Sequence, residues 1–169
     1  MVNQSSHDLP YRQGVGIMMF NDRKEIFIAR RIDMSVDGWQ MPQGGIDGSE
    51  EPIQAALREL KEETSVENVT IIGETKDWHC YDFHESIALN WKLKKFRGQQ
   101  QKWFAMHFQG SDHQINLNTA DPEFRDWRWT TIDKLPDLIV KFKRDLYHHI
   151  VQELWPLIDA YDLPLKEYA

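Results

Sequence analysis

The chain has one cysteine, Cys80, in 169 residues, which excludes an intrachain disulfide framework and any cysteine-rich zinc site. Long apolar runs are missing too. No stretch reaches the ~18 apolar residues of a membrane-spanning helix, and the polar segment Met1 to Pro10 has no apolar signal core. Positive charge is in short supply: 20 Lys and Arg stand against 27 Asp and Glu, for a net charge of −7. That argues against a protein that coats long nucleic-acid duplexes through a broad basic surface. No internal repeat, low-complexity tract or long linker is visible, so one domain over residues 1–169 is expected, soluble and cytoplasmic. What is present is enough apolar sequence, 41% of residues, to bury a core.

Apolar runs at 14–20 and 25–30 read as two strands joined by a turn at Asn21–Lys24. A loop over 37–49 follows, and Pro52 suits the first residue of a helix. In that helix Ile53, Ala56, Leu57, Leu60 and Thr64 recur at helical spacing and predict a buried stripe. Further strands are expected at 69–73, 78–83, 87–91, 102–109 and 126–130. A C-terminal helix is expected over about 137–160, with Phe142, Leu146, Ile150, Leu154 and Leu157 on its buried side. Strands and helices do not alternate strictly, so the class is α/β with a mixed sheet.

Chemistry concentrates in the first helix. Glu59, Glu62 and Glu63 stand at i, i+3 and i+4 and share one helix face. At 100° per residue that face lies roughly 120° from the apolar stripe, at the edge of the buried surface, where it can line a cleft. Like charges at this spacing repel by a few tenths of a kcal/mol per pair, and a hard divalent cation reverses that repulsion. On spacing alone, a solvated acidic face remains the alternative.

The wider pattern separates the two. Gly44, then Glu50, then Arg58-Glu59-Leu60-Lys61-Glu62-Glu63-Thr64-Ser65-Val66 closely resembles the Nudix box, a glycine, glutamate and REUxEExGU signature in which U is a bulky aliphatic residue. Every fixed position matches except Ser65, where the family has glycine. A left-handed residue after a helix end costs serine roughly 1 kcal/mol relative to glycine, and Asn68 offers a slightly later point for the chain to reverse. The departure touches no expected metal ligand.

The resemblance implies an α/β/α sandwich with a mixed central sheet, in which residues 44–66 form a loop–helix–loop catalytic box. It implies Mg²⁺-dependent hydrolysis of a diphosphate linked to another moiety, with Mn²⁺ or another divalent cation able to substitute. Carried onto this chain, Glu59, Glu62 and Glu63 are the expected metal ligands, with the Gly44 carbonyl as a further one, while Arg58 pairs with Glu50 to hold helix and loop together.

Flanking runs extend the likeness over about residues 9–155, among them Leu9–Arg12, Trp39–Gly45, Gly98–Phe104, Pro122–Phe124, Trp127–Trp129 and Phe142–Arg144. Together they are similar to the bacterial RNA pyrophosphohydrolases and to the related dinucleoside polyphosphate hydrolases. The first expected substrate is therefore the 5′ end of triphosphorylated RNA, and the second is diadenosine tetraphosphate. A binding module on this fold without catalysis is a third possibility, which the intact carboxylates disfavour. Between Ser86 and Ser111 there is no acidic residue, but Lys92, Lys94, Lys95, Arg97 and Lys102 are present, a stretch suited to steering an anion; a solvated basic loop is the alternative. Lys102, Arg12, Arg31 and Lys143 fall in matching runs and are the expected phosphate contacts. Arg30 and Arg31 alternate across a strand, so one of the two is expected to face the cleft. Tyr81 and Phe142 stand where the family places aromatics near substrate. Trp103, Trp127 and Trp129 are expected in the core. Glu123 matches a position that relatives use in catalysis, as metal ligand or base. The histidines show no ligand spacing, and the oligomeric state is open.

Overall fold

A computed structural model describes residues 8–33, 38–83 and 93–165. Strand β1 (Tyr11–Phe20) is buried without interruption from Gly14 onward, because both faces of the sheet are covered. It runs parallel to β6 (Gly98–Phe108) on one side and antiparallel to β2 (Ile26–Arg31) on the other. β4 (Val69–Glu74) and β7 (Phe124–Thr130) complete the order β4-β6-β1-β2-β7. The short strands β3 (Gln43–Gly45) and β5 (His79–Asp82) pair with β1 and β6.

Alternation along the strands sorts side chains onto two faces. Met18, Phe20, Ile28 and Trp103 pack on one face under Tyr147, Ile150, Leu154 and Ile158 of α3 (Arg144–Asp159). Val15, Ile17, Met19, Phe27 and Phe104 pack on the other under Ala55, Ala56 and Leu60 of α1 (Pro52–Thr64). The result is the expected α/β/α sandwich. Trp103 needs one glycine: a Cβ at Gly16 would collide with its indole.

The structure corrects several expectations. Within the expected loop, Gln43–Gly45 forms a strand whose register sets Gly44 opposite Val15. Leu57 and Leu157, expected inside, are 37% and 40% exposed, because each lies at the margin of its helix's apolar stripe. The C-terminal helix is not continuous from 137. A short helix α2 (Leu135–Leu138) stops where the Val140 N–H donates to the Trp39 carbonyl at 3.3 Å, and a 3₁₀ turn over Lys141–Lys143 precedes α3. Phe142 therefore sits outside the helix. Tertiary pairing outweighs local helix preference there. Trp103 is fully buried, while Trp127 and Trp129 are only partly so, packed against Phe27. The expected strand at 87–91 and Lys92 lie outside the described residues. No helix among the described residues is long and apolar enough to cross a membrane.

Candidate active site

Helix α1 carries the glutamates, and its two ends are tied down. At the start, the Glu51 N–H donates to Gln54 Oε1 at 3.2 Å, and Pro52 opens the first turn. At the end, Ser65 itself adopts φ 65°, and its N–H donates to the Lys61 carbonyl at 2.8 Å. The chain reverses at Ser65 and not later at Asn68. The Ser65 hydroxyl donates to the Asn116 carbonyl at 2.9 Å, a bond glycine could not make, and this offsets the left-handed strain.

Arg58 organises the loop against the helix. Its Nε and Nη2 grip Glu50 at 2.9 Å each, Nη2 also reaches the Gly45 carbonyl at 2.9 Å, and Nη1 meets Glu59 at 2.9 Å and Glu62 at 3.1 Å. All the donors of the guanidinium are thus committed, and Glu50 is held well below the usual carboxylate range by Arg58.

The three glutamates differ sharply in surroundings. Glu62 is exposed. Glu59 is mostly buried and packs on the bare backbone of Gly44, where a Cβ would collide with its carboxyl. Burial lifts Glu59 to about 7, against the pull of Arg58. Glu63 is 2% exposed, and among the described residues neither of its carboxyl oxygens has a hydrogen-bond partner. Burial first, then the neighbouring charges of Glu123 and Glu59, push Glu63 far above the ordinary range. Among the described residues no three His, Cys, Asp or Glu side chains are gathered into a group able to hold a metal ion, because Arg58 draws Glu59 and Glu62 to itself while Glu63 stays inside. The donor set nevertheless fits a hard cation. It is all oxygen, and the two unpartnered oxygens of Glu63 are the groups a cation would satisfy.

Opposite the carboxylates stand cations. A bulge at Arg30/Arg31 sets Arg31 against Phe124, and such bulges re-aim side chains. Arg31 forks onto Asp33 with two bonds of 2.7 Å and reaches Glu123 at 3.3 Å. Arg30 faces the other way, onto Asp126. Lys143 is 3% exposed and donates to Gln40 Oε1 at 3.0 Å and Gln43 Oε1 at 2.9 Å. Burial and then Arg31 pull it down to about 7, with Glu63 and Asp33 opposing. Its ammonium lies 5.3 Å from the Tyr81 ring and 5.9 Å from the Phe142 ring. Tyr81 is buried, its hydroxyl accepts from Gln43 Nε2 at 3.1 Å, and burial raises it to about 12. Arg12 lies against Gly45, where a Cβ would meet its guanidinium.

The fold therefore sets Glu59, Glu63, Glu123, Arg12, Arg31, Lys143, Tyr81 and Phe142 about the end of the sheet where β2 ends and β3 begins, with the carboxylates still apart from one another. It does not place Lys102 with them. Lys102 is level with Val15 on the sheet, and its ammonium donates to the Lys76 carbonyl at 3.2 Å. Arg97 is also engaged, with Asp82 at 2.8 Å and over the Tyr11 ring, so the basic stretch is not a uniform anion funnel. Gln40 and Gln43 belong to the Trp39–Gly45 run and carry no sign of their role at Lys143 in the sequence. Their hold on Lys143 spans about a hundred residues and leaves no local signal.

This is the arrangement of a hydrolase for anionic esters or anhydrides, with acid on one wall and base on the other. A NUDIX domain model matches residues 10–150, and the chain belongs to the Nudix family. It is 52% identical over 150 residues to an RNA pyrophosphohydrolase of Rhodospirillum rubrum, covering 89% of this chain and 90% of that one. In fold it is similar to the E. coli dihydroneopterin triphosphate pyrophosphohydrolase, with a TM-score of 0.67 and 18% identity over 87% of this chain and 99% of that one. A C. elegans Ap4A hydrolase superposes with a TM-score of 0.63 and 15% identity, over 88% and 99% of the two chains. Nudix hydrolases generally use divalent metal ions.

Proposed function

We propose that this Nudix hydrolase removes pyrophosphate from the 5′ end of triphosphorylated RNA, with Mg²⁺ as its cation. The observation that carries the reading is Glu63, a buried carboxyl with no hydrogen-bond partner among the described residues, facing Arg31 and Lys143. The 52% identity to the Rhodospirillum rubrum RNA pyrophosphohydrolase supports the choice of substrate. Glu59, Glu62, Glu63 and the Gly44 carbonyl would hold the metal, which when bound neutralises phosphate oxygens and acidifies a water.

The protein's own groups do the rest. Arg31, Arg12 and Lys143 bind the phosphates as cations already placed before substrate arrives, so little reorganisation is needed on binding. Arg31 is held at the mouth by Asp33 and Glu123, and Lys143 at the floor by two neutral amides that leave its charge unpaired. Phe142 offers a ring to the first bases, while Tyr81 serves as wall and props Gln43. Glu123 is a half-buried carboxylate bonded to Arg31 and accepts the proton of the attacking water. One water is consumed for each anhydride bond broken, and the leaving pyrophosphate carries away the bridging oxygen.

The test sets a short 5′-triphosphate RNA beside diadenosine tetraphosphate, each with Mg²⁺, with chelator and with Glu63→Gln. Faster, Mg²⁺-dependent release of pyrophosphate from the RNA supports the reading. Faster turnover of the dinucleotide makes the chain a nucleotide hydrolase, with Phe142 against adenine. Undiminished turnover by Glu63→Gln removes Glu63 from the chemistry.

A further inference from the structure

A cleft of about 330 Å³, lined by Arg128, Lys134 and Leu138 among others, is not used by the mechanism. Its cationic wall is Arg128 on β7. The guanidinium of Arg128 stacks over the indole of Trp39 at 4.4 Å, and that of Arg30 stacks on the same ring at 4.8 Å. The two arginines differ in what else they do. Arg30 is bonded to Asp126 at 2.8 Å. Arg128 is exposed, and among the described residues no carboxylate or other acceptor bonds its N–H groups. A guanidinium held over an aromatic ring is already ordered and keeps its N–H groups available for an outside acceptor.

Charge in the cleft favours an anion. Lys134 lines it as a second cation, and Glu25, which also lines it, is taken up by Arg23 at 2.8 Å and Asn21 at 2.8 Å. That leaves Arg128 and Lys134 against Asp137 alone. One segment of chain runs from the cleft to the active site. Leu138 lines it, the Leu138 carbonyl accepts from the Trp39 N–H at 2.9 Å, and Phe142 and Lys143 follow in the same segment. On the sheet, Arg128 pairs with Ile28, three residues before Arg31, or roughly 10 Å along the strand. A stacked strand advances about 3.4 Å per nucleotide, so this distance spans about three nucleotides.

We propose that Arg128, fixed on Trp39 and helped by Lys134, binds a backbone phosphate of the RNA within the first few linkages after the 5′ end. The inference rests on the RNA reading above and adds a subsite to it. The enzyme then senses that a chain follows the triphosphate, which free nucleotides and dinucleoside polyphosphates lack.

The experiment compares kcat/KM for a 5′-triphosphorylated dinucleotide and octanucleotide, with wild type, Arg128→Gln and Arg128→Lys. Wild type is expected to favour the octamer, and Arg128→Gln to cut the octamer-to-dinucleotide ratio about 3- to 10-fold, with partial recovery in Arg128→Lys. Anisotropy of a labelled 5′-triphosphate octamer is followed in parallel; the slope of log affinity against log salt should shrink by about 0.7 in Arg128→Gln, the loss of one single-strand phosphate contact. Equal losses on both lengths would mean that Arg128 only props Trp39, and an unchanged ratio and salt slope would mean that it touches no RNA. Either result overturns the subsite while leaving the RNA reading intact. If wild type hydrolyses neither RNA, the RNA reading itself falls, and the anisotropy then decides the subsite alone.

Discussion

Replacing Lys143 by methionine should stabilise the protein while weakening it as an enzyme, and the gain should vanish as pH rises. The Lys143 ammonium is buried between two neutral amides, which holds it at about 7 against an ordinary value of 10.5. Between those two values the unfolded chain binds one more proton than the folded one, so wild-type stability rises with pH. Below pH 7 both states are protonated, and the full penalty of the buried charge is present. The drop from 10.5 to about 7 corresponds to an upper bound of about 5 kcal/mol. Methionine removes that penalty but strands the Gln40 and Gln43 oxygens, at about 1–2 kcal/mol each. The net expectation is a gain of roughly 1–3 kcal/mol at pH 6–7, or several degrees in Tm for a chain of this size. Urea unfolding of both proteins from pH 6 to pH 10 measures it. The difference between variant and wild type should fall by about 1.4 kcal/mol per pH unit above pH 7 and change sign before pH 10. A difference that stays constant across that range would refute the idea that Lys143 is a buried charge held by amides. KM for a phosphorylated substrate should rise in the same variant, because the unpaired cation is lost.

Arg58→Lys should lower stability by about 2–3 kcal/mol in a denaturant titration, since an ammonium cannot reproduce the fork onto Glu50 together with the bonds to Gly45, Glu59 and Glu62; a change under about 0.5 kcal/mol would show that these bonds do not hold loop to helix. Ser65 separates strain from bonding. Ser65→Gly should be nearly neutral, because relief of the left-handed strain offsets loss of the bond to Asn116, whereas Ser65→Ala should cost about 1 kcal/mol. Equal effects of the two changes in thermal melts would contradict that division.

Much of the carboxylate helix could be read locally. Its start at Pro52, its stripe through Ala56 and Leu60, and the shared face of Glu59, Glu62 and Glu63 follow from periods that one turn of helix already sets. The partnership of Arg58 and Glu50 came from the family pattern, and the structure shows the bonds that make it. Where the reading failed, a distant strand or loop intervened. Ile139 and Val140 look helical in isolation, yet they pair with Trp39 and release Phe142 from the helix. Lys102 matches a run but reaches the Lys76 carbonyl, because the loop after β4 comes back beside it.

The sequence by itself determined the chemistry available to this protein: a carboxylate-rich helix, and basic and aromatic residues in the flanking runs. These are properties of residue type and short spacing, and they survive without knowledge of the fold. Only the tertiary structure decided the state of each group. Glu62 and Glu63 are neighbours in the chain, yet one is exposed on Arg58 while the other is buried with no hydrogen-bond partner among the described residues. Lys143 is an ordinary lysine until Gln40 and Gln43, about a hundred residues away, close over it. Burial and the charges brought near across the sheet set those differences, and the order of residues along a single segment does not encode either of them.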